Sequence, residues 1–236
     1  MSDVEQTIRT ALQQDKRANL DARHLKIDVG KSVTLSGEVD SLAAKRRLTA
    51  IAWLAAEKRP VVDAIKVKSH NAANSGILCD ELDKTLRSDG AFAGIVIVRG
   101  EKPQTNIYGW ISIDSPEAGV LKLSGTVPSL SHWRLAEVYA WWLTGTCLVD
   151  NQLQIVPSED DNDGEISEAL RQAMDKDPGV DCAEVHTLVR DGEIRLTGRV
   201  ATRAQAEHAE YTCWATPGVR QVSNELEVIA NRSAKH

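Results

Sequence analysis

The chain of 236 residues has one phenylalanine, two methionines and three tyrosines, and it contains no run of 18 apolar residues. A membrane-spanning helix needs about 20 of them in a row, so none is predicted. Its four cysteines, Cys79, Cys147, Cys182 and Cys213, form no C-x-x-C pair. They read as buried free thiols, not as a redox centre or a disulfide frame. A phosphate-cradling glycine loop and a G-x-S-x-G elbow are both missing. The opening "MSDVEQTIRT" lacks the basic and apolar segments of a secretory signal, and neither end carries a lipidation motif. The expected compartment is therefore the cytoplasm, or the periplasm if the sequence is a trimmed precursor.

Excess charge of one sign is also modest. The net charge is −6, and 42% of the residues are hydrophobic, as in an ordinary globular protein. The charge is uneven, however: residues 1–75 carry +4, while residues 76–160 and 161–236 each carry −5. A general nucleic-acid binder would be basic overall or carry a long basic stripe, so no nucleic-acid partner is expected.

What is present is repetition. "VTLSGEVDS" (33–41) returns as "LKLSGTVPS" (121–129) and "IRLTGRVAT" (194–202). With Gly37, Gly125 and Gly198 in register, apolar residues match two and four places before each glycine and two places after. Ser41, Ser129 and Thr202 follow at plus four, and Trp53, Trp141 and Trp214 at plus sixteen. Val61, Val149 and Val222 stand at plus 24, and Val67, Ile155 and Val228 at plus 30, all without a gap. Self-similarity of this kind dictates the fold. It predicts three modules, at 1–70, 76–157 and 163–231. Units so small bury only about 60% of their unfolded surface, so packing between copies is expected to help them.

Each copy reads as α-β-β-α-β, which makes the fold class α+β. In the third, "DGEISEALRQAMDKD" has helical apolar spacing, and Asp191-Gly192 is a hairpin turn between two β-rich runs. Thr202 with Gln205 forms a capping box, and "VSNELEV" is a closing strand. In "VTLSGEV", Val33, Leu35, Gly37 and Val39 share one face of a strand. The three glycines are thereby expected on the buried face, beneath the second helix, where a missing side chain permits close approach. The middle copy has one β-run too many, read as an inserted hairpin or strand extension near 93–114. Its Ile95, Val96, Ile97 and Val98 suggest burial on both sides, against a neighbouring repeat or a second chain. A monomer or weak homodimer is expected.

The "V-x-L-x-G-x-V" strand, the alanine-rich helix after it and the closing "V-x-N-x-L-x-V" strand resemble the BON domain, named for bacterial osmotically inducible and nodulation proteins. The closing motif stands as "VDNQLQI" (149–155) and "VSNELEV" (222–228), with Asp63 replacing the asparagine in "VVDAIKV" (61–67). The resemblance implies modules of two helices on one face of a three-stranded mixed sheet. It also implies a stress-related protein of the bacterial envelope, attaching to phospholipid surfaces or to another protein, with no catalytic residues and no cofactor.

Candidate sites are few. Cys182, His186, His208 and Cys213 all fall in the third copy, but Cys182 and His186 would lie about 13 Å apart along a strand. His208 and Cys213 would lie about 140° apart around a helix, so no metal site is expected. Lys45, Arg46 and Arg47 suggest a basic helix face for anionic headgroups. "SHWRLAEVYAWWL" (131–143), with Trp133, Trp141 and Trp142, is expected to be the most aromatic surface of the chain. The repeated Trp53, Trp141 and Trp214 either seal the modules or form an interfacial ring. Two functions compete. One is a non-catalytic scaffold at phospholipid or envelope surfaces. The other is a sensor of a cation or small metabolite bound between modules, which requires a polar cleft lined by more than one copy.

Overall fold

Strand, helix and strand are built three times from the repeated phrase. The computed structural model describes residues 3–14, 25–100, 103 and 109–229. Module 1 comprises α1 (Asp3–Gln14), β1 (Lys26–Val29), β2 (Val33–Val39), α2 (Leu42–Ala55) and β3 (Val61–Val67). Module 2 comprises α3 (Ser75–Ser88), β4 (Val96–Arg99), β5 (Trp110–Asp114), β6 (Val120–Val127), α4 (Leu130–Trp142) and β7 (Leu148–Ile155). Module 3 comprises α5 (Asp163–Lys176), β8 (Val185–Arg190), β9 (Glu193–Val200), α6 (Arg203–Ala215) and β10 (Gln221–Val228). In each module the middle strand pairs antiparallel with the one before it and parallel with the one after its helix.

The joint between middle strand and second helix is local chemistry. Ser41 accepts the Ala44 N–H at 3.1 Å, Ser129 accepts that of His132 at 3.3 Å, and Thr202 accepts that of Gln205 at 3.2 Å. Gln205 returns the bond to the N–H groups of Ala201 and Thr202. Each cap satisfies a helix-end donor and is worth ~1 kcal/mol.

The glycines have a different cause from the one expected. They do not make room for a helix. Gly125 has φ +134° and Gly198 φ +116°, conformations that side chains resist. A Cβ at Gly125 would fall 2.1 Å from the Trp110 carbonyl oxygen, and one at Gly198 1.8 Å from that of Glu184. The obstacle is a backbone carbonyl of the preceding segment, Trp110 in β5 for Gly125 and Glu184 just before β8 for Gly198.

The insertion in module 2 is a fourth strand. β4 runs parallel to β5 at the sheet edge, giving the order β4-β5-β6-β7, so it is not half of a hairpin. Residues 101–102 and 104–108, which also belong to the expected insertion, lie outside the described residues. Ile97 is buried beneath α3, but Val96 is exposed, so this strand has one covered face and not two. It packs within its own module.

Two cores result. Module 1 has its own, built on Val4, Ile8, Leu35, Leu48 and Ile65. Modules 2 and 3 share one, running from Leu82 and Ile111 through Leu135 and Tyr139 to Leu170, Leu196 and Cys213. Leu42 and Ala43 of α2 pack against that second core. The edges β3 and β7 also meet, with Val67 N–H donating to the Cys147 carbonyl at 2.8 Å.

Candidate functional site at the junction of the modules

A polar knot ties each closing strand to its second helix. Asn151, Asn224 and Asp63 hold the same post, and their side-chain oxygens accept the N–H two residues on, at 3.3, 3.2 and 3.1 Å. The asparagines also donate backwards. Asn151 reaches the Trp133 carbonyl at 3.0 Å and Glu137 at 3.2 Å; Asn224 reaches the Ala206 carbonyl at 3.0 Å and Glu210 at 3.1 Å. The repeated tryptophans complete the knot, Trp141 donating to Glu137 at 3.4 Å and Trp214 to Glu210 at 3.3 Å. An aspartate cannot donate, so module 1 reverses the polarity. Lys45 donates to Asp63 at 2.5 Å and to the Ile65 carbonyl at 2.8 Å, and Thr49 donates to Asp63 at 2.7 Å. Lys45 is 2% exposed, and burial pulls its ammonium below the usual lysine range against the opposing pull of Asp63.

Arg46 is the joint between modules. Its guanidinium donates to Glu137 of α4 at 2.6 Å, and to the carbonyls of Trp214 and Ala215 at the end of α6 at 3.1 and 3.0 Å. One side chain thus touches the second helix of all three modules. A cation also suits the carbonyl end of a helix. Two guanidinium–indole contacts flank it, Arg47 over Trp214 at 6.0 Å and Arg220 over Trp53 at 5.5 Å, one running each way between modules 1 and 3.

These placements correct the surface expected from sequence. Lys45 and Arg46 are engaged inside the protein, so Lys45-Arg46-Arg47 is not one solvated basic face. The helix expected to be the most aromatic surface is the hub: α4 is buried from Arg134 to Trp141, because α3, α5, α6 and its own sheet pack around it. Trp142 donates to Thr212 of α6 at 3.1 Å, and Tyr211 donates to the Trp141 carbonyl at 2.7 Å. Trp141 and Trp214 are buried, whereas Trp53 is 61% exposed beside Leu54 at 72%.

At the same junction lies a cleft of about 650 Å³. Its wall takes Arg46 and Trp53 from α2, Trp133 from α4, Asp161 and Asp163 from the start of α5, and Arg220 from the turn before β10. Sequence reasoning singled out Arg46, Trp53 and Trp133 but not Arg220. Only the packing of distant segments brings these together, and no local signal marks them.

Other polar clusters are structural. Asp89 accepts from Tyr139 and Lys176, joining module 2 to α5. Burial pushes the Asp89 carboxyl up, but Lys176, Tyr139 and the Ala91 N–H outweigh it and hold it below the usual range. The buried Asp177 accepts from Thr212 at 2.5 Å and faces His208 at 2.9 Å. Cys182 donates to the Met174 carbonyl; burial and nearby carboxylates push its thiol up to about 11. Cys213 is fully buried, and burial pushes its thiol well above the usual range. Among the described residues, no group of His, Cys, Asp and Glu has the arrangement of a metal site. No described helix is long and apolar enough to cross a membrane.

A mixed sheet of three or four strands under two helices, repeated with the glycine strand, the helix cap and a closing asparagine or aspartate, defines a BON-type module. The model of the BON domain family matches residues 2–69, 111–157 and 162–230, and the chain belongs to that family. No curated protein matches. Among solved structures, the chain is similar to the C-terminal domain of CdsD, the structural protein of the type III secretion system of Chlamydia trachomatis. The identity is 18% and the TM-score 0.26, over 98% of this chain and 99% of that one. A second structure of CdsD has 17% identity and the same TM-score, over 97% of this chain and 93% of that one.

Proposed function

We propose that the protein is a non-catalytic binding protein whose three BON modules act as one unit and receive a small ligand in the cleft at their junction. The observation that carries this is the cleft wall, to which all three modules contribute. Its volume falls within the range of about 300–1,000 Å³ usual for small-molecule sites. A ligand that binds only the assembled protein raises the melting temperature with concentration. A thermal-shift screen over metabolites, osmolytes and cations, run beside Trp53→Leu, tests it. The expected result is a dose-dependent shift that the substitution reduces; no shift with any compound would contradict the proposal.

A second reading is attachment to phospholipid or to an envelope-associated protein, in keeping with the BON resemblance to stress proteins. Trp53 and Leu54 favour it, an exposed aromatic–aliphatic pair with Lys58 and Arg59 close by in sequence. Apolar insertion and cationic attraction would act together there. Co-sedimentation with anionic vesicles at low salt, lost in Leu54→Asp, is its expected signature. Leu54 is outside the cleft wall, so the two readings separate.

A further inference from the structure

We infer that the ligand of the junction cleft is a small zwitterion, one molecule carrying a carboxylate, an ammonium group and an apolar body. This inference rests on the cleft being a binding site, and it adds the chemical class. The charges follow from what the protein has already paired. Arg46 is bonded to Glu137, and Asp161 is paired with Arg134 behind the wall, so these two pairs cancel. Three charged groups of the wall have no ionic partner among the described residues: Asp163, Asp191 and Arg220.

Asp163 keeps its negative charge but has local support. It opens α5, near the positive end of that helix, and accepts the N–H groups of Asp191 and Gly192 at 2.6 and 2.9 Å. The Asp191 carboxylate has no such bond. It sits on the tip of the β8–β9 turn, whose left-handed backbone has φ +52°. Arg220 lies over the Trp53 ring, 5.5 Å from its centre, and has no carboxylate partner among the described residues. The two turns touch: the Arg220 N–H donates to the Gly192 carbonyl at 2.8 Å, and a Cβ at Gly192 would lie 3.2 Å from the Arg220 Cγ. Opposite charges therefore stand on adjoining turns of one cavity without forming an ion pair.

A molecule with a single charge fits such a wall badly. An anion would satisfy Arg220 and meet two carboxylates; a cation would satisfy the carboxylates and meet Arg220. A zwitterion matches both ends, each through a charge-assisted hydrogen bond. Its positive end is an ammonium and not a metal ion, because these carboxylates lack the arrangement of a metal site. The apolar body follows from the rest of the wall, where Trp53, Trp133, Ile166 and Val219 line the same cavity. A free amino acid with an apolar side chain has all three parts.

Calorimetric titration of the full chain tests this with five probes. Phenylalanine and leucine are complete. Phenethylamine lacks the carboxylate, 3-phenylpropionate lacks the ammonium, and glycine lacks the apolar body. Asp191→Asn, Arg220→Gln and Trp53→Leu serve as variants. Asparagine adopts left-handed backbone readily, and Trp53 and Arg220 are solvent-exposed, so folding is preserved. The expected result is binding of phenylalanine, leucine or both, about tenfold or more tighter than the three incomplete probes. Each variant should weaken that binding about tenfold or more. Arg220→Gln should not weaken phenethylamine, and Asp191→Asn should not weaken 3-phenylpropionate. A single-charge analogue that binds as tightly as phenylalanine, and still depends on Trp53, overturns the zwitterion but leaves the cleft as a site. No binding by any probe also overturns the zwitterion, and the thermal-shift screen then decides the cleft alone. Binding unchanged in all three variants overturns the class and the site together.

Discussion

Gly198 shows how a single position carries the fold. Its φ of +116° and the Glu184 carbonyl facing it leave no room for a methyl group. Gly198→Ala should cost about 2–4 kcal/mol, from backbone strain and overpacking together. A melting temperature within a degree of wild type would refute the close approach. The repeated glycine was plain in the sequence, but its cause was not, because the obstructing carbonyl lies more than ten residues earlier in the chain. The caps Ser41, Ser129 and Thr202 were fully legible, since a cap involves only the next three residues. Asp89 offers a test in pH. Its folded carboxyl lies below the ordinary value of 3.8, so its ionised form stabilises the protein above that range. This contribution is lost as pH falls through the folded value. Asp89→Asn should therefore be less stable than wild type at pH 7, by about 1–3 kcal/mol. The gap should narrow as pH falls below ~4 and close below the folded value, where the wild-type carboxylate is itself protonated. Urea unfolding at both pH values measures it, and a gap that widened in acid would contradict the assignment.

Among the elements, α2 and α4 differed most from their sequence reading. A Lys-Arg-Arg string normally lies on a solvated helix face, yet Lys45 is buried on Asp63 and Arg46 on Glu137. The sequence does hold one trace of this: the first copy has Asp63 where the others have asparagine, so its buried knot needs a donor from elsewhere. Asp63→Asn should cost about 3–5 kcal/mol, because it leaves a buried ammonium without its carboxylate. Adding Lys45→Met to that variant should restore much of the loss, since an apolar side chain needs no partner. A double variant no more stable than Asp63→Asn would show that the pair is not the cause. For α4, "HWRLAEVYAWW" is apolar or aromatic on nearly all sides, which is the pattern of a helix buried all round. The run around Ile95–Val98 misled in the opposite direction. Four apolar residues in a row suggested a strand covered on both faces, but β4 is an edge strand covered on one.

At the scale of the molecule, the three-module α+β architecture was legible because the repeat recurs without gaps. The arrangement of the modules was not, since it depends on surfaces that no periodicity describes. Modules 2 and 3 share one apolar core; module 1 keeps its own and docks through Leu42, the β3–β7 contact and the Arg46 joint. The cleft exists only while that docking holds. Arg46→Ala removes a side chain that bonds to both α4 and α6 and leaves Glu137 buried without its cation. Scanning calorimetry of wild type beside Arg46→Ala is the most direct test. Wild type should unfold in one cooperative transition, and Arg46→Ala should show module 1 melting several degrees earlier, apart from the core of modules 2 and 3. Separate transitions already present in wild type, or a profile unchanged by Arg46→Ala, would contradict a body of three modules joined at Arg46.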